Sequence, residues 1–162
     1  MIVVTDTSVV SNLCFLHQEE LLSSLFDRVL APSAVRHEFE RLARTDSRFA
    51  GLCFPVFIDV EDPISIPDRL RNAENLDGGE IAALALALER NIRDVLIDET
   101  AARHLAQELG LRVSGLLAVI IRAKRRGIVK AVEPLLSRLE NEANFWIGPE
   151  LRERVLSAAG EA

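Results

Sequence analysis

Four carboxylates stand where a purely solvated surface role explains them poorly: Asp6, Glu38, Glu80 and Asp98. Asp6 ends the short β-branched run Ile2–Thr5 and is followed by Thr7 and Ser8. In open α/β sheets ligands bind beyond the carboxyl ends of the strands, so an acid at that point is well placed for chemistry. Asp98 repeats the arrangement after Val95-Leu96-Ile97. Adjacent parallel strands lie about 4.8 Å apart, close enough for two such carboxylates to face each other across a crevice. Glu38 lies within or beside the apolar stripe of Val35, Phe39 and Leu42, where an ionised carboxylate needs a partner. Glu80 closes Leu76-Asp77-Gly78-Gly79-Glu80. Two glycines in a first helical turn give up about 1 kcal/mol each relative to alanine. They make sense where something approaches the backbone closely or the turn is tight.

Each acid also has a structural reading. Asp6 or Ser8 can cap the helix that follows the first strand, and Asp98 can cap the helix from Glu99. Glu38 can pair with Arg41 one turn on. Asp77 and Glu80 have the spacing of a capping box. Four like charges brought to one place would repel and raise each other's pKa. A hard divalent cation, Mg²⁺ or Mn²⁺, resolves that repulsion, because it takes carboxylate and water oxygens and keeps positions open for phosphate. The net charge is −6, so removing these four charges leaves the remainder near −2. An acidic chain can then still hold a polyanion through a metal.

The elements that must position these acids alternate. Short apolar runs at Ile2–Thr5, Val29–Ala31, Val56–Val60, Val95–Ile97 and Arg112–Val113 are separated by helical patterns, which points to α/β layers on a largely parallel sheet. Ser33 is the expected N-cap of a helix to about Ala43, and Asp77–Glu89 is a helix rich in alanine and leucine. Gly110 and Gly127 are expected helix stops. Two further helical segments, about Val132–Glu142 and Pro149–Ala159, are joined by Phe145-Trp146-Ile147-Gly148. Trp146 and this tail read as packing or partner contacts.

Composition narrows the function. A chain of 162 residues, 49% hydrophobic, fits one domain with a real core. No apolar run is long enough to cross a bilayer. The start MIVVTDTS lacks the basic region and cleavage sequence of a secretory signal, so a cytoplasmic location is expected. Cys14 and Cys53 make no disulfide framework or zinc spacing and read as ordinary buried thiols. His17, His37 and His104 read as surface or helix-packing residues. Of the 19 basic residues only Lys124 and Lys130 are lysines. Arg36, Arg41, Arg44 and Arg48 and the run Lys124-Arg125-Arg126 could steer a polyanion, although each also reads as a solvated helix face. Seven Phe, one Trp and no Tyr are too few for a base-stacking platform, so binding is expected to rest on phosphate and metal. A dehalogenase-type phosphatase needs a second Asp where Ser8 stands, a receiver domain needs a late-strand lysine, and no phosphate-binding glycine loop follows a strand.

Val4-Thr5-Asp6-Thr7-Ser8, the Glu38 helix, Leu76 to Ala85 (LDGGEIAALA) and Leu96-Ile97-Asp98-Glu99 together resemble the PIN-domain family, in particular small relatives of the VapC toxin ribonucleases. The resemblance runs from Met1 to about Pro134 and takes in Arg122–Gly127. It implies a three-layer α/β/α sandwich with a mostly parallel sheet of four or five short strands, in a nuclease domain over 1–134 extended by C-terminal helices over 135–162. It implies a ribonuclease dependent on Mg²⁺ or Mn²⁺ that hydrolyses RNA phosphodiester bonds. Asp6, Glu38, Glu80 and Asp98 match the family's four acids, here as catalytic metal ligands. Ser8 matches a hydroxyl that supports the first acid, and Glu99 is the alternative to Asp98 at the fourth. Arg41, Lys124, Arg125 and Arg126 become the candidate RNA contacts. A toxin role with a small antitoxin partner, and a homodimer, are the further expectations. The other reading is a non-catalytic interaction module of the same shape.

Overall fold

The computed structural model describes residues 1–162. Five parallel strands form one sheet in the order β3-β2-β1-β4-β5: β1 (Ile2–Thr5), β2 (Arg28–Ala31), β3 (Asp59–Val60), β4 (Asp94–Leu96) and β5 (Arg112–Ser114). Nine helices surround it: α1 (Thr7–Phe15), α2 (Glu20–Leu25), α3 (Ser33–Thr45), α4 (Asp68–Arg71), α5 (Gly78–Glu89), α6 (Thr100–Glu108), α7 (Leu116–Arg125), α8 (Glu133–Glu142) and α9 (Pro149–Ala158). The sheet is parallel throughout.

Strand alternation splits the core between the two faces of the sheet. Val3, Val29 and Leu96 point to one side, where they meet α1, α2, α3, α7, α8 and α9. Val4, Leu30, Val95 and Ile97 point to the other, against α4, α5 and α6. This is the expected three-layer sandwich. The buried residues of the three central strands are mostly β-branched or aliphatic because both faces are covered there. Leu135, Leu136, Leu139 and Ile147 join the core that Val10 and Leu13 occupy.

Two local expectations give way to longer-range geometry. Ser33 is the first helical residue of α3 rather than its cap, since Pro32 holds the cap position. The cap is Asp62, whose carboxylate accepts from the Ser33 amide at 2.8 Å and from its hydroxyl at 2.9 Å. The strand expected over Val56–Val60 shrinks to Asp59–Val60, because the Ile58 amide donates to the Pro55 carbonyl and turns the chain. Val56 is left wholly exposed, and Cys53 is exposed rather than buried. Gly110 and Gly127 have the positive φ of helix-terminating glycines, +83° and +75°.

Strand order decides where a site can form. From β1 the chain steps outward to β2 and β3, then returns to the opposite side of β1 as β4 and β5. The order therefore reverses between β1 and β4. The chain leaves β1 for α1 on one face and leaves β4 for α6 on the other, so a crevice opens between them.

Candidate functional site

Asp6 and Asp98 follow the two strands that flank this crevice. Thr5 is in register with Leu96, and the ladder continues one step, with the Asp6 amide donating to Leu96 at 3.0 Å. The two acids are joined directly: the Asp98 amide donates to Asp6 Oδ2 at 3.2 Å. Asp6 Oδ1 accepts from the Val9 amide at 2.9 Å and caps α1. Asp6 thus does both things its position suggests, capping a helix and facing the fourth acid.

Asp98 does not cap the helix that follows it, whose cap residue Glu99 makes no side-chain bond. Its Oδ1 instead accepts from the Leu116 amide at 2.9 Å, at the start of α7. Its Oδ2 is buried and has no hydrogen-bond partner. Gly115 makes this contact possible, because a Cβ there would lie 2.5 Å from Asp98 Oδ1 and 2.9 Å from Arg103 Nη1. That Arg103 nitrogen donates to the Ile97 carbonyl at 2.8 Å, which fixes a cation beside Asp98. The Ser8 hydroxyl, expected to support Asp6, stands beside Asp98 and favours its charged form.

Glu80 completes the capping box foreseen in the sequence. Its amide donates to Asp77 Oδ1 at 2.8 Å, and its Oε2 accepts from the Asp77 amide at 3.2 Å. It is also 8% exposed. A Cβ at Gly79 would meet Val35, Thr7 and Asp77 in ordinary contact at 3.4–3.7 Å, whereas one at Gly78 would meet nothing. A Cβ is therefore accommodated at either position, and nothing in the structure explains the two glycines. Glu38 is half-buried on α3. It makes no ion pair with Arg41, which is exposed and only partly offsets the effect of burial and of Asp77.

All four acids have raised pKa values, with burial the largest cause in each. Asp6 is pushed far above the usual carboxylate range, with the Asp98 charge adding to burial. Asp98 is raised less freely, because the Leu116 amide, Arg103 and Ser8 favour its ionised form. Burial and then Asp77 push Glu80 up to about 7. Burial and Asp77 also raise Glu38.

A cleft of about 670 Å³ contains Asp77, Glu80, Asp98 and Glu99, with Ser8 and Arg103 among its walls, and Asp6 is buried beneath it. Glu38 lines an adjoining hollow of about 260 Å³ that shares Ser8 and Phe145 with the cleft. The acids therefore meet at one end of the sheet but divide between two hollows. No group of three or more acidic, imidazole or thiol side chains is arranged, as placed, to hold a metal ion. Helix ends orient Asp6, Glu80 and Asp98, and Glu38 stands apart from them in the adjoining hollow.

Arg41 is exposed one turn from Glu38 and Arg48 lines the hollow that holds Glu38, whereas Lys124, Arg125 and Arg126 fall elsewhere. Lys124 lies about 12 Å along α7 from Leu116. It pairs with Glu161 at 2.9 Å, and Arg125 donates to the Ala158 carbonyl at 3.3 Å. Both tie down the C-terminus. Arg126 is exposed beside them, and the three histidines are exposed. Asp77 as an acid of the cleft, Arg103, Gly115 and Trp146 were not singled out for the site from sequence. The capping-box spacing accounts for Asp77 in the sequence without a role in the cleft. Arg103 carried a weak signal, lying one turn after Glu99 on the helix that follows Asp98.

No helix is long and apolar enough to cross a membrane. A family model described as a PIN domain matches residues 2–161. No curated protein and no solved structure matches the chain.

Proposed function

The chain belongs to the PIN-domain family, whose members are generally nucleases that typically use divalent metals, and from that premise we propose that it is an endoribonuclease dependent on Mg²⁺ or Mn²⁺. The observation that carries the reading is Asp98 Oδ2, a buried carboxylate oxygen without a partner, held against Asp6 at the β1–β4 crevice. A buried anion needs compensation, and Arg103 is the only cation lining the cleft. A hard divalent ion fits this all-oxygen donor set. Asp6 and Asp98 would hold it, with Glu80 and Glu38 directly or through water, and Glu99 at the rim. Such an ion, when bound, would supply polarisation of a phosphodiester and a more acidic water for its hydrolysis.

The chain's own groups do the positioning. The Val9 and Leu116 amides orient Asp6 and Asp98, leaving other lone pairs free. Arg103, anchored on the Ile97 carbonyl, offers a fixed positive charge to a phosphate entering the cleft. Glu80, with its carboxyl near 7, can hold or release a proton in neutral solution.

The deciding experiment measures RNA cleavage and melting temperature together while Mn²⁺ is titrated. Cleavage that requires metal, with a melting temperature that rises with it, is the expected result. Asp98→Asn should abolish both responses and still fold. A second reading, a non-catalytic module of the same shape, draws support from the helix-capping duties of Asp6 and Glu80. It gains if metal changes neither signal in the wild-type protein. The toxin role, antitoxin partner and homodimer belong to the same proposal; co-purification with a neighbouring gene product and light scattering test them.

A further inference from the structure

We propose that Trp146 is a base-stacking residue that positions an unpaired nucleotide of a single-stranded RNA beside the acidic cleft; this rests on the nuclease reading above. Trp146 is 84% exposed, which leaves the chain's largest apolar ring in solvent, as are Val56 and Ile64, but of these three Trp146 alone lines the acidic cleft. Its exposure is built in. On either side, Ala143 and Ile147 are each 3% exposed and belong to the core. The Phe145 amide donates to Leu139 at 2.9 Å, and Arg48 donates to the Ala143 carbonyl at 2.7 Å. The segment between α8 and α9 is thus fastened while its indole is held outward and its other ring, Phe145, is half-buried.

The ring has a seat. The six-membered edge of the indole lies so close to Gly148 that a Cβ there would be 3.0 Å from Cη2 and 3.4 Å from Cζ2. Gly148 has φ −64° and ψ 156°, an ordinary conformation for any residue, so its lack of a side chain matters as room for the indole. Trp146 also lines the same cleft as Asp98, Glu80 and Arg103. A rigid aromatic face next to acids suited to a phosphate-bound cation fits a nucleotide, whose base has a π-face and whose backbone carries the phosphate. An acidic wall with Arg103 as its one cation repels a bare polyanion, which gives a stacking contact a task beside that arginine.

The chain has one Trp and no Tyr, so intrinsic emission reports on this indole alone. The experiment titrates a short single-stranded RNA, labelled at its 5′ end, with Ca²⁺ replacing Mg²⁺, and reads indole emission and label anisotropy together. Stacking predicts that emission is quenched as anisotropy rises, and that an abasic strand of equal length quenches far less. Trp146→Ala should weaken binding about 5- to 150-fold, and Trp146→Phe should recover part of that. Gly148→Ala, which keeps the ring but crowds its seat, should weaken binding and quenching together. In turnover, Trp146→Ala should raise KM and leave kcat near wild type. RNA binding that leaves emission unmoved, with Trp146→Ala binding as wild type, overturns the stacking role while leaving the nuclease reading intact. Absence of any RNA binding overturns both.

Discussion

Glu80 is the acid whose titration can be followed most directly, and Glu80→Gln should make the metal-free protein more stable in mildly alkaline solution. Burial and Asp77 lift its carboxyl from 4.5 to about 7 in the fold. The unfolded chain therefore releases this proton first as pH rises. Between pH 4.5 and 7 the folded state binds more protons than the unfolded state, so stability falls across that window and levels off above it. Stability linked to the protonated group is fully present below pH 4.5 and lost by about pH 7. At about 1.4 kcal/mol per pH unit the penalty is at most about 3 kcal/mol. Partial access of the carboxylate to the cleft screens this to about 1–2 kcal/mol. Glutamine keeps an oxygen for the Asp77 amide, so the capping box survives the change. Urea unfolding in EDTA at several pH values between 4.5 and 8 measures the difference. Wild type and variant should match near pH 4.5 and diverge by that amount at pH 8, about 2–8 °C in Tm. Saturating Mn²⁺ should reverse the order, because the ion then rewards the charge that burial penalises. A stability difference independent of pH would refute the reasoning, since it would mean that Glu80 is ionised at no cost in the fold.

Two other changes test the frame around the acids. Gly115→Ala forces a Cβ to within 2.5 Å of Asp98 Oδ1, so the carboxylate must leave the Leu116 amide. The expected loss is about 1–3 kcal/mol in chemical denaturation, together with RNA cleavage. Lys124→Ala breaks the bridge to Glu161 and should lower stability by no more than about 1 kcal/mol, with RNA affinity by anisotropy unchanged.

The layers and the strand ends were legible in the sequence because they rest on local patterns. Ile2–Thr5 followed by Asp6, and Val95–Ile97 followed by Asp98, carry period and position in a few residues. The partners of those acids were not legible, because they come from chain far away. The structural alternative for Asp98 is a cap for the helix next to it, yet its carboxylate accepts from the first amide of α7, eighteen residues on. The sequence around Ser33 suggests that it caps its own helix, yet Asp62 does that work from twenty-nine residues away. Likewise Lys124 and Arg125 read as free basic charge, and only the docking of α9 reveals Glu161 and the Ala158 carbonyl beside them. Trp146 followed the same rule. A lone aromatic in a tail is ordinarily a packing residue, and the sequence holds no signal that its neighbours take the buried places instead.

Helix capping and metal binding were posed as alternatives for these acids, but a carboxylate has room for both. Two oxygens offer about four lone-pair directions. Asp6 uses one on the Val9 amide and one on the Asp98 amide. Asp98 uses one on the Leu116 amide and leaves its second oxygen unpartnered. Each amide bond fixes a carboxylate's orientation and favours its ionised form, which offsets part of what burial costs that charge. What remains is directed but uncompensated negative charge, and burial keeps it costly until a cation or a proton arrives. Capping in this fold is therefore the means by which the backbone aims the acids. The test of that view is Asp6→Ala against Asp6→Asn: alanine should lose both metal response and the α1 cap, about 1–2 kcal/mol, whereas asparagine should lose the metal response and keep most of the cap. Equal destabilisation by the two would show that capping is not what holds the site in place.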